Sequence, residues 1–297
     1  MISIMKKILL LATVLLAAAS LQAKKKDIAR HVIIIGVDGW GSWCMEKADV
    51  PFIREKMQEG CYTLSKRTVR PTVSGPNWAA TLNGTPAESS GIADNKPGPI
   101  FKPVFLTEHG AQPTLFHVLK QERPAAKTGV IAEWAFVLNY CDTLCVDYEK
   151  GVDNKTVVEE SARYIKEAKP ELLFIHIDAV DHAGHAYGVG APEYYACMTH
   201  VDGQIARIVE AVKEAGFYDD CIFILTSDHG HNGRGHGGDS ITETETPFVI
   251  WGKNVKHGHE ITETMIQYDV AATAAKVFHL ATPQSWRGVP MDVFTKK

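Results

Sequence analysis

Short apolar runs alternate with longer amphipathic stretches along most of this chain. His31–Val37 (H-V-I-I-I-G-V), Leu172–Ile177 (L-L-F-I-H-I) and residues 221–225 (C-I-F-I-L) are apolar at nearly every position. Strands covered on both faces read this way, so these three are predicted as central strands of a parallel sheet. Residues 62–70, 127–132 and 247–251 add further strands. Helices are predicted over residues 49–59, 76–82, 114–122, 154–169, 192–216 and 268–279. The first of these has Asp49 as its cap, Pro51 in its first turn and Gly60 as its stop. Residues 85–112 are rich in proline and glycine and are predicted as a long loop over the active face. The alternation predicts a single α/β domain over residues 24–297, a doubly wound, mostly parallel sheet with helices on both faces.

The start of the chain does not fit this pattern. Lys6 and Lys7 precede an apolar run over residues 8–19, and L-Q-A ends at Ala23. Residues 1–23 are therefore predicted as a signal peptide, and the protein as exported, periplasmic or secreted. The run is shorter than the roughly 20 residues a bilayer helix needs, so no stable membrane insertion is expected after cleavage. With 45% hydrophobic and 22% charged residues and a net charge of −4, the composition is that of an ordinary globular protein. It gives no reason to expect a nucleic-acid partner. Six cysteines in an exported chain permit disulfides, and Cys141 with Cys145 is the expected close pair. Cys197 and Cys221 are expected to be buried thiols.

The chemically distinctive residues fall just after strands. Asp38 follows the first. Ser74 lies in P-T-V-S-G-P-N, at a strand-to-helix turn where free N–H groups and the helix dipole favour an anion. Simple capping is the alternative for Ser74, and Thr72 is the rival hydroxyl. D-A-V-D-H-A-G-H holds two overlapping pairs four residues apart, Asp178 with His182 and Asp181 with His185, and spacing does not choose between them. T-S-D-H-G-H-N-G-R-G-H-G-G supplies Asp228, His229 and His236. Carboxylates and imidazoles together suit a divalent metal such as zinc. Open α/β sheets hold their ligands at the carboxyl ends of strands, which is where these residues lie. Independent surface residues would not line up in this way.

V-D-G at 37–39, P-T-V-S-G-P-N at 71–77, D-H-A-G-H-A-Y-G at 181–188, T-S-D-H-G at 226–230 and G-H-G-G at 235–238 resemble, in order, the motifs of the alkaline phosphatase superfamily. The chain is most similar to the nucleotide pyrophosphatase/phosphodiesterase branch, over residues 31–290. The resemblance implies an alkaline-phosphatase-like fold and two divalent metal ions, zinc foremost. One would be held by Asp38, Asp228, His229 and the Ser74 oxygen, the other by Asp181, His185 and His236. The family's D-x-x-G-H pattern is what favours Asp181/His185 over Asp178/His182. It further implies that Ser74 is the nucleophile of a phosphoserine intermediate and that Asn77 contacts a non-bridging phosphate oxygen. The stretch between Ser74 and the second metal motif is short, which leaves little room for nucleotide-pocket insertions. S-G-P-N lacks the arginine of the sulfatase pattern C/S-x-P-x-R, which argues against a type I sulfatase.

The expected function is an exported dimetal hydrolase acting on a small phosphate ester, first a phosphodiesterase or nucleotide pyrophosphatase. A phosphomonoesterase or phosphonate hydrolase on the same site is the runner-up, with Lys66, Arg67, Arg70 or Arg234 as the extra cation a monoester usually needs. A metal-dependent binding protein without turnover is the third reading. The remaining histidines, including His109, His117 and His176, are expected to be structural or solvated, while His182 and His231 flank the ligands. Trp78, Trp134 and Tyr187 either stack on a leaving group or pack in the core.

Overall fold

The three apolar runs lie side by side at the centre of one eight-stranded sheet. β1 (His31–Val37) pairs in parallel with β5 (Leu172–Ile177) on one side and β6 (Cys221–Thr226) on the other. With β2 (Cys61–Arg67), β3 (Thr128–Ala132), β4 (Tyr148–Gly151), β7 (Glu245–Gly252) and β8 (His259–Glu260), the order is β4-β3-β5-β1-β6-β7-β2-β8. The computed structural model describes residues 26–295, and the proposed signal peptide lies outside them. Only β7 runs against the rest, antiparallel to both β6 and β2. Its direction was not legible in P-F-V-I-W, because residues 246–251 are buried as fully as those of a parallel strand.

Alternate side chains of the central strands feed two cores. Val32 and Ile34 of β1 face one core, with Phe174, Ile222 and Trp78. Ile33, Ile35 and Val37 face the other, with Ile205 and Val209. The first core is covered by α2 (Ser74–Asn83), α4 (Leu115–Glu122) and α9 (Asp269–Val277). The second is covered by α1 (Pro51–Glu59), α5 (Val157–Ala168), α6 (Ala179–Tyr187) and α7 (Pro192–Glu214). Two short helices, α3 (Ala87–Ser90) and α8 (Ile241–Thr244), lie in the connecting loops. The sheet is thus doubly wound, and the carboxyl ends of β5, β1 and β6 emerge together at its middle. Among the described residues, no helix is long and apolar enough to cross a membrane.

Two local expectations are corrected. Asp49 does not cap α1. The N-cap is Val50, and the amides of Phe52 and Ile53 instead donate to the Asp202 carboxylate on α7, at 3.0 and 2.8 Å. Cys141 and Cys145 do not pair, and all six cysteines are free thiols. Cys141 Sγ turns to the Val137 carbonyl and Cys145 Sγ to the Asp142 carboxylate.

Candidate active site

The close approach of the three strand ends depends on two glycines. Gly39 follows Asp38 with φ +73°, and a Cβ there would lie 2.7 Å from Asp181 Cα and from the His231 ring. At Gly184, inside α6, a Cβ would lie 2.6 Å from the same ring. V-D-G and D-x-x-G-H therefore each carry a glycine where a side chain would push apart the groups that must meet. Parallel pairing does the rest. The Asp38 amide donates to Ile177 O at 2.8 Å and the Gly39 amide to Asp228 Oδ1 at 3.1 Å, which locks the ends of β5, β1 and β6 together.

Four imidazoles share one orientation. The Nδ1 atoms of His229, His185, His231 and His236 lie 3.0, 2.7, 3.2 and 2.9 Å from the carbonyls of Gly230, Arg234, Gly39 and Thr72. A carbonyl only accepts, so each Nδ1 carries the proton and each Nε2 presents a lone pair inward. What those lone pairs face is mostly more acceptors, the Ser74 hydroxyl being the one group able to donate. His229 Nε2 lies 3.4 Å from Asp38 Oδ1, 3.2 Å from Asp228 Oδ2 and 3.2 Å from Ser74 Oγ. Asp181 has Oδ2 3.4 Å from His185 Nε2, and Oδ1 3.0 and 3.7 Å from the Nε2 atoms of His231 and His236. Asp38 Oδ1, Asp181 Oδ1, Asp228 Oδ2 and His231 Nε2 are buried with no hydrogen-bond partner. Such a convergence of acceptors is costly by itself and is satisfied by cations. Ligands around a tetrahedral zinc with N and O donors stand about 3.3 Å apart, and the His229 distances match that spacing. These residues fit two groups, Asp38/Asp228/His229/Ser74 and Asp181/His185/His236, with His231 beside the second.

The protonation equilibria tell the same story. Burial, then the neighbouring Asp181, pushes Asp38 up to about 7. Burial and Asp38 hold Asp228 well above the ordinary carboxylate value. Burial and His236 hold His229 well below its ordinary value, so it stays neutral. With no cation present, two of the three carboxyls resist ionisation.

Ser74 is the first residue of α2, with Val73 as the cap. Thr72, the rival hydroxyl, is occupied: Oγ1 donates to Gly238 O at 2.8 Å and accepts from Gly237 N at 3.0 Å, clamping the loop that carries His236. Both Asp/His pairs of α6 form, but His182 is 76% exposed, and only Asp181/His185 meets His231 and His236.

Asn77 is corrected. It is fully buried, its Oδ1 accepts from Val69 N, and its Nδ2 donates to the carbonyls of Val69, Pro71 and Val73. It splints the loop into α2 and has no group left for a phosphate. Asn95, from the long loop, has Oδ1 2.7 Å from Gly75 N, beside Ser74. Trp78 takes the core-packing alternative. It is buried beneath Asp38, donating from Nε1 to Oδ2 at 2.9 Å, and is not exposed to stack on a leaving group. His176, read from the sequence as structural, lies 3.1 Å from the same Oδ2. A lone histidine inside the strand L-L-F-I-H-I needed a partner, and that was the available signal. Trp78 and His176 together turn Asp38 Oδ1 towards His229. We predict that Trp78→Phe or His176→Ala weakens metal binding at Asp38 by about 10–100-fold without removing a ligand. Metal titration of the stripped variants measures this, and unchanged affinity in both would exclude the positioning role.

Three of the four proposed extra cations, Lys66, Arg67 and Arg70, are engaged elsewhere, while Arg234 lies next to the site, its carbonyl facing His185 Nδ1. Lys66 is fully buried and donates to Ser227 O at 3.0 Å and to Gln267 Oε1. Burial brings its ammonium down to about 7. Arg67 pairs with Glu245 at 3.0 Å, and Arg70 lies 3.9 Å from Asp239, both exposed.

Known proteins share this fold and sequence pattern. The GPI ethanolamine phosphate transferase 1 of Candida glabrata is 27% identical over 226 residues, 70% of this chain and 24% of its own length. The mouse enzyme of the same name is 28% identical over 268 residues, 81% of this chain and 28% of its own. The chain thus spans about a quarter of the length of these curated relatives. The solved structure of murine ectonucleotide pyrophosphatase/phosphodiesterase 5 superposes with a TM-score of 0.69 at 16% identity, covering 89% of this chain and 97% of that one. Residues 32–235 match the family model described as type I phosphodiesterase / nucleotide pyrophosphatase, and the chain belongs to that family, within the alkaline phosphatase superfamily.

Proposed function

We propose that this protein cleaves a phosphodiester through attack of Ser74 Oγ on phosphorus, giving a phosphoserine that a second acceptor then discharges. The observation that carries this reading is the set of inward-facing Nε2 lone pairs and unpartnered carboxylate oxygens around one buried serine hydroxyl. Two divalent ions, zinc foremost, would make that hydroxyl easier to deprotonate and would neutralise charge on the attacking and leaving oxygens. Asp38, Asp228 and His229 would hold one beside Ser74, and Asp181, His185 and His236 the other. The chain's own residues supply the positioning. Trp78 and His176 orient Asp38, Thr72 clamps the His236 loop, and Asn77 fixes the turn that presents Ser74. Asn95, whose Oδ1 takes the Gly75 amide, keeps its Nδ2 donor for a non-bridging oxygen. Pro76 has no N–H and Gly75 is engaged by Asn95, so this donor matters more than the helix terminus does.

A diester is favoured over a monoester because, of the four candidates for the extra cation a monoester needs, Lys66, Arg67 and Arg70 are engaged elsewhere and Arg234 alone is left. The acceptor in the second step decides between hydrolysis and transfer. The names of the relatives favour a second reading, in which an alcohol takes the phosphoryl group in place of water. The leader-like sequence of residues 1–23 supports an exported setting for either activity. The test is the initial rate on bis-p-nitrophenyl phosphate and on p-nitrophenyl phosphate, after metal stripping and zinc reloading, with and without ethanol as acceptor. We expect diester turnover to depend on zinc and to exceed monoester turnover. A new ethyl phosphodiester forming at the expense of the hydrolysis product would assign transfer, and its absence hydrolysis. Monoester preference would overturn the diester reading.

A further inference from the structure

Far along the chain from these ligands, His109, His117, Asp142 and Cys145 bring one ligand atom each to within 4.8 Å of one another. The four come from separate pieces of backbone. His109 lies in the long loop, His117 in the first turn of α4, and Asp142 and Cys145 three residues apart on one 3-10 turn. The Cys145 amide donates to Asp142 O at 2.8 Å, which puts those two side chains on the same side. The Thr114 hydroxyl accepts from the His117 amide at 3.2 Å and fixes the start of α4. Asp142 is 3% exposed, Cys145 4% and the His117 side chain 10%, so only His109, at 26%, reaches solvent.

Four of five distances among these ligand atoms are near those of a coordination tetrahedron, and the fifth, between Asp142 and His109, is shorter. Around a zinc ion with ordinary Zn–N, Zn–O and Zn–S lengths, N and O ligands stand about 3.3 Å apart, and sulfur about 3.6 Å from either. Asp142 Oδ2 lies 2.7 Å from His109 Nδ1, 3.2 Å from His117 Nδ1 and 3.4 Å from Cys145 Sγ. Cys145 Sγ lies 3.9 and 3.7 Å from the Nδ1 atoms of His109 and His117. Hydrogen bonding accounts for this less well, since three donors would crowd onto one oxygen with two lone pairs.

We propose that His109, His117, Asp142 and Cys145 form a second, structural zinc site. Four protein ligands leave no open position, the signature of a structural and not a catalytic centre. Thiolate with imidazole selects zinc over magnesium, calcium or manganese. On binding, the Cys145 Sγ–H bond breaks, its proton passes to solvent and the thiolate takes the metal. Carboxylate, thiolate and a doubly charged ion then sum to zero, a combination suited to burial. The ion would staple the long loop to α4 and to the turn after β3. The same loop carries Asn95 to Ser74, so the staple would also steady one wall of the active site.

Cobalt(II) tests this independently of activity. The active site has only nitrogen and oxygen ligands, so a near-ultraviolet thiolate-to-cobalt charge-transfer band can arise only at Cys145 among the clustered groups. We expect the metal-stripped protein, titrated with cobalt, to develop that band and to bind one equivalent more than the active site takes. Cys145→Ser should lose the band and that one equivalent, and His117→Ala should weaken both. Asp181→Ala should leave the band intact. A cobalt-saturated wild-type protein without the band overturns the proposal, as does a band that survives in Cys145→Ser. The wild-type titration decides even where a variant folds poorly.

Discussion

Replacing Ser74 by alanine is expected to lower kcat/KM for a phosphodiester by roughly 10⁴-fold or more, the scale seen when a covalent nucleophile is deleted. The substitution removes one oxygen and little else. Ser74 stands at the first position of α2 and does not cap it, so helix stability should change little. Its Oγ contacts His229 Nε2, whose proton lies on the far nitrogen, facing Gly230 O. The hydroxyl can therefore donate to Nε2, and a cation shared with those groups would take the place of that proton and bind the oxygen. Acid-quenched wild-type enzyme should carry a phosphoryl group at Ser74, visible as a mass increase, and Ser74→Ala should not. Turnover near wild type in the variant would move the nucleophile to another oxygen. Thr72 is not that oxygen, because both its donor and its acceptor function are spent on the loop at 237–238. Retained binding of a metal at Asp181, His185 and His236 in the variant would separate loss of chemistry from loss of the site.

The parts of this arrangement that were legible in the sequence are those governed by local rules. β1, β5 and β6 were legible because burial on both faces leaves an unbroken apolar run, and Asp38, Asp228 and His229 stand out because each breaks such a run at its end. The parts that were not legible depend on long-range contacts. The resemblance implies a phosphate contact for Asn77, yet its amide folds back on residues 69–73. The amide beside Ser74 comes from Asn95, in a loop with no periodic signal. Asp202 caps a helix 150 residues away, which no local pattern announces. His109, His117, Asp142 and Cys145 lie on segments whose meeting depends on how the long loop returns to α4, and each reads singly as an ordinary polar or buried residue. His176 is intermediate: its place in an apolar strand was a signal, but its partner could be named only with the sheet register in hand.

Asp38→Asn is expected to have opposite effects on stability and on activity. In the metal-stripped protein, burial and Asp181 raise the Asp38 carboxyl from 3.8 to about 7. A carboxyl raised on folding contributes stability that is fully present below about pH 3.8 and is lost as pH rises through about 7. At pH 8 the folded, stripped protein therefore carries an ionised Asp38 at a cost on the order of 2–4 kcal/mol. Asparagine cannot ionise, and its carbonyl oxygen can still accept from Trp78 Nε1. Stripped Asp38→Asn should accordingly melt roughly 5–10 °C above stripped wild type at pH 8, and the gap should shrink to about a third by pH 5 and close below about pH 4. Activity should fall on the order of 10³-fold, because a neutral amide is a poor substitute for a charged ligand. Zinc should then reverse the order of stability. Wild type gains about 4 kcal/mol when free zinc exceeds its Kd a thousandfold, and the variant gains much less. Thermal melts of both proteins at pH 5 and pH 8, stripped and zinc-loaded, decide the matter. A stripped variant no more stable than wild type at pH 8 would refute the repulsion between Asp38 and its neighbours. Equal stabilisation of both by zinc would remove Asp38 from the ligand set.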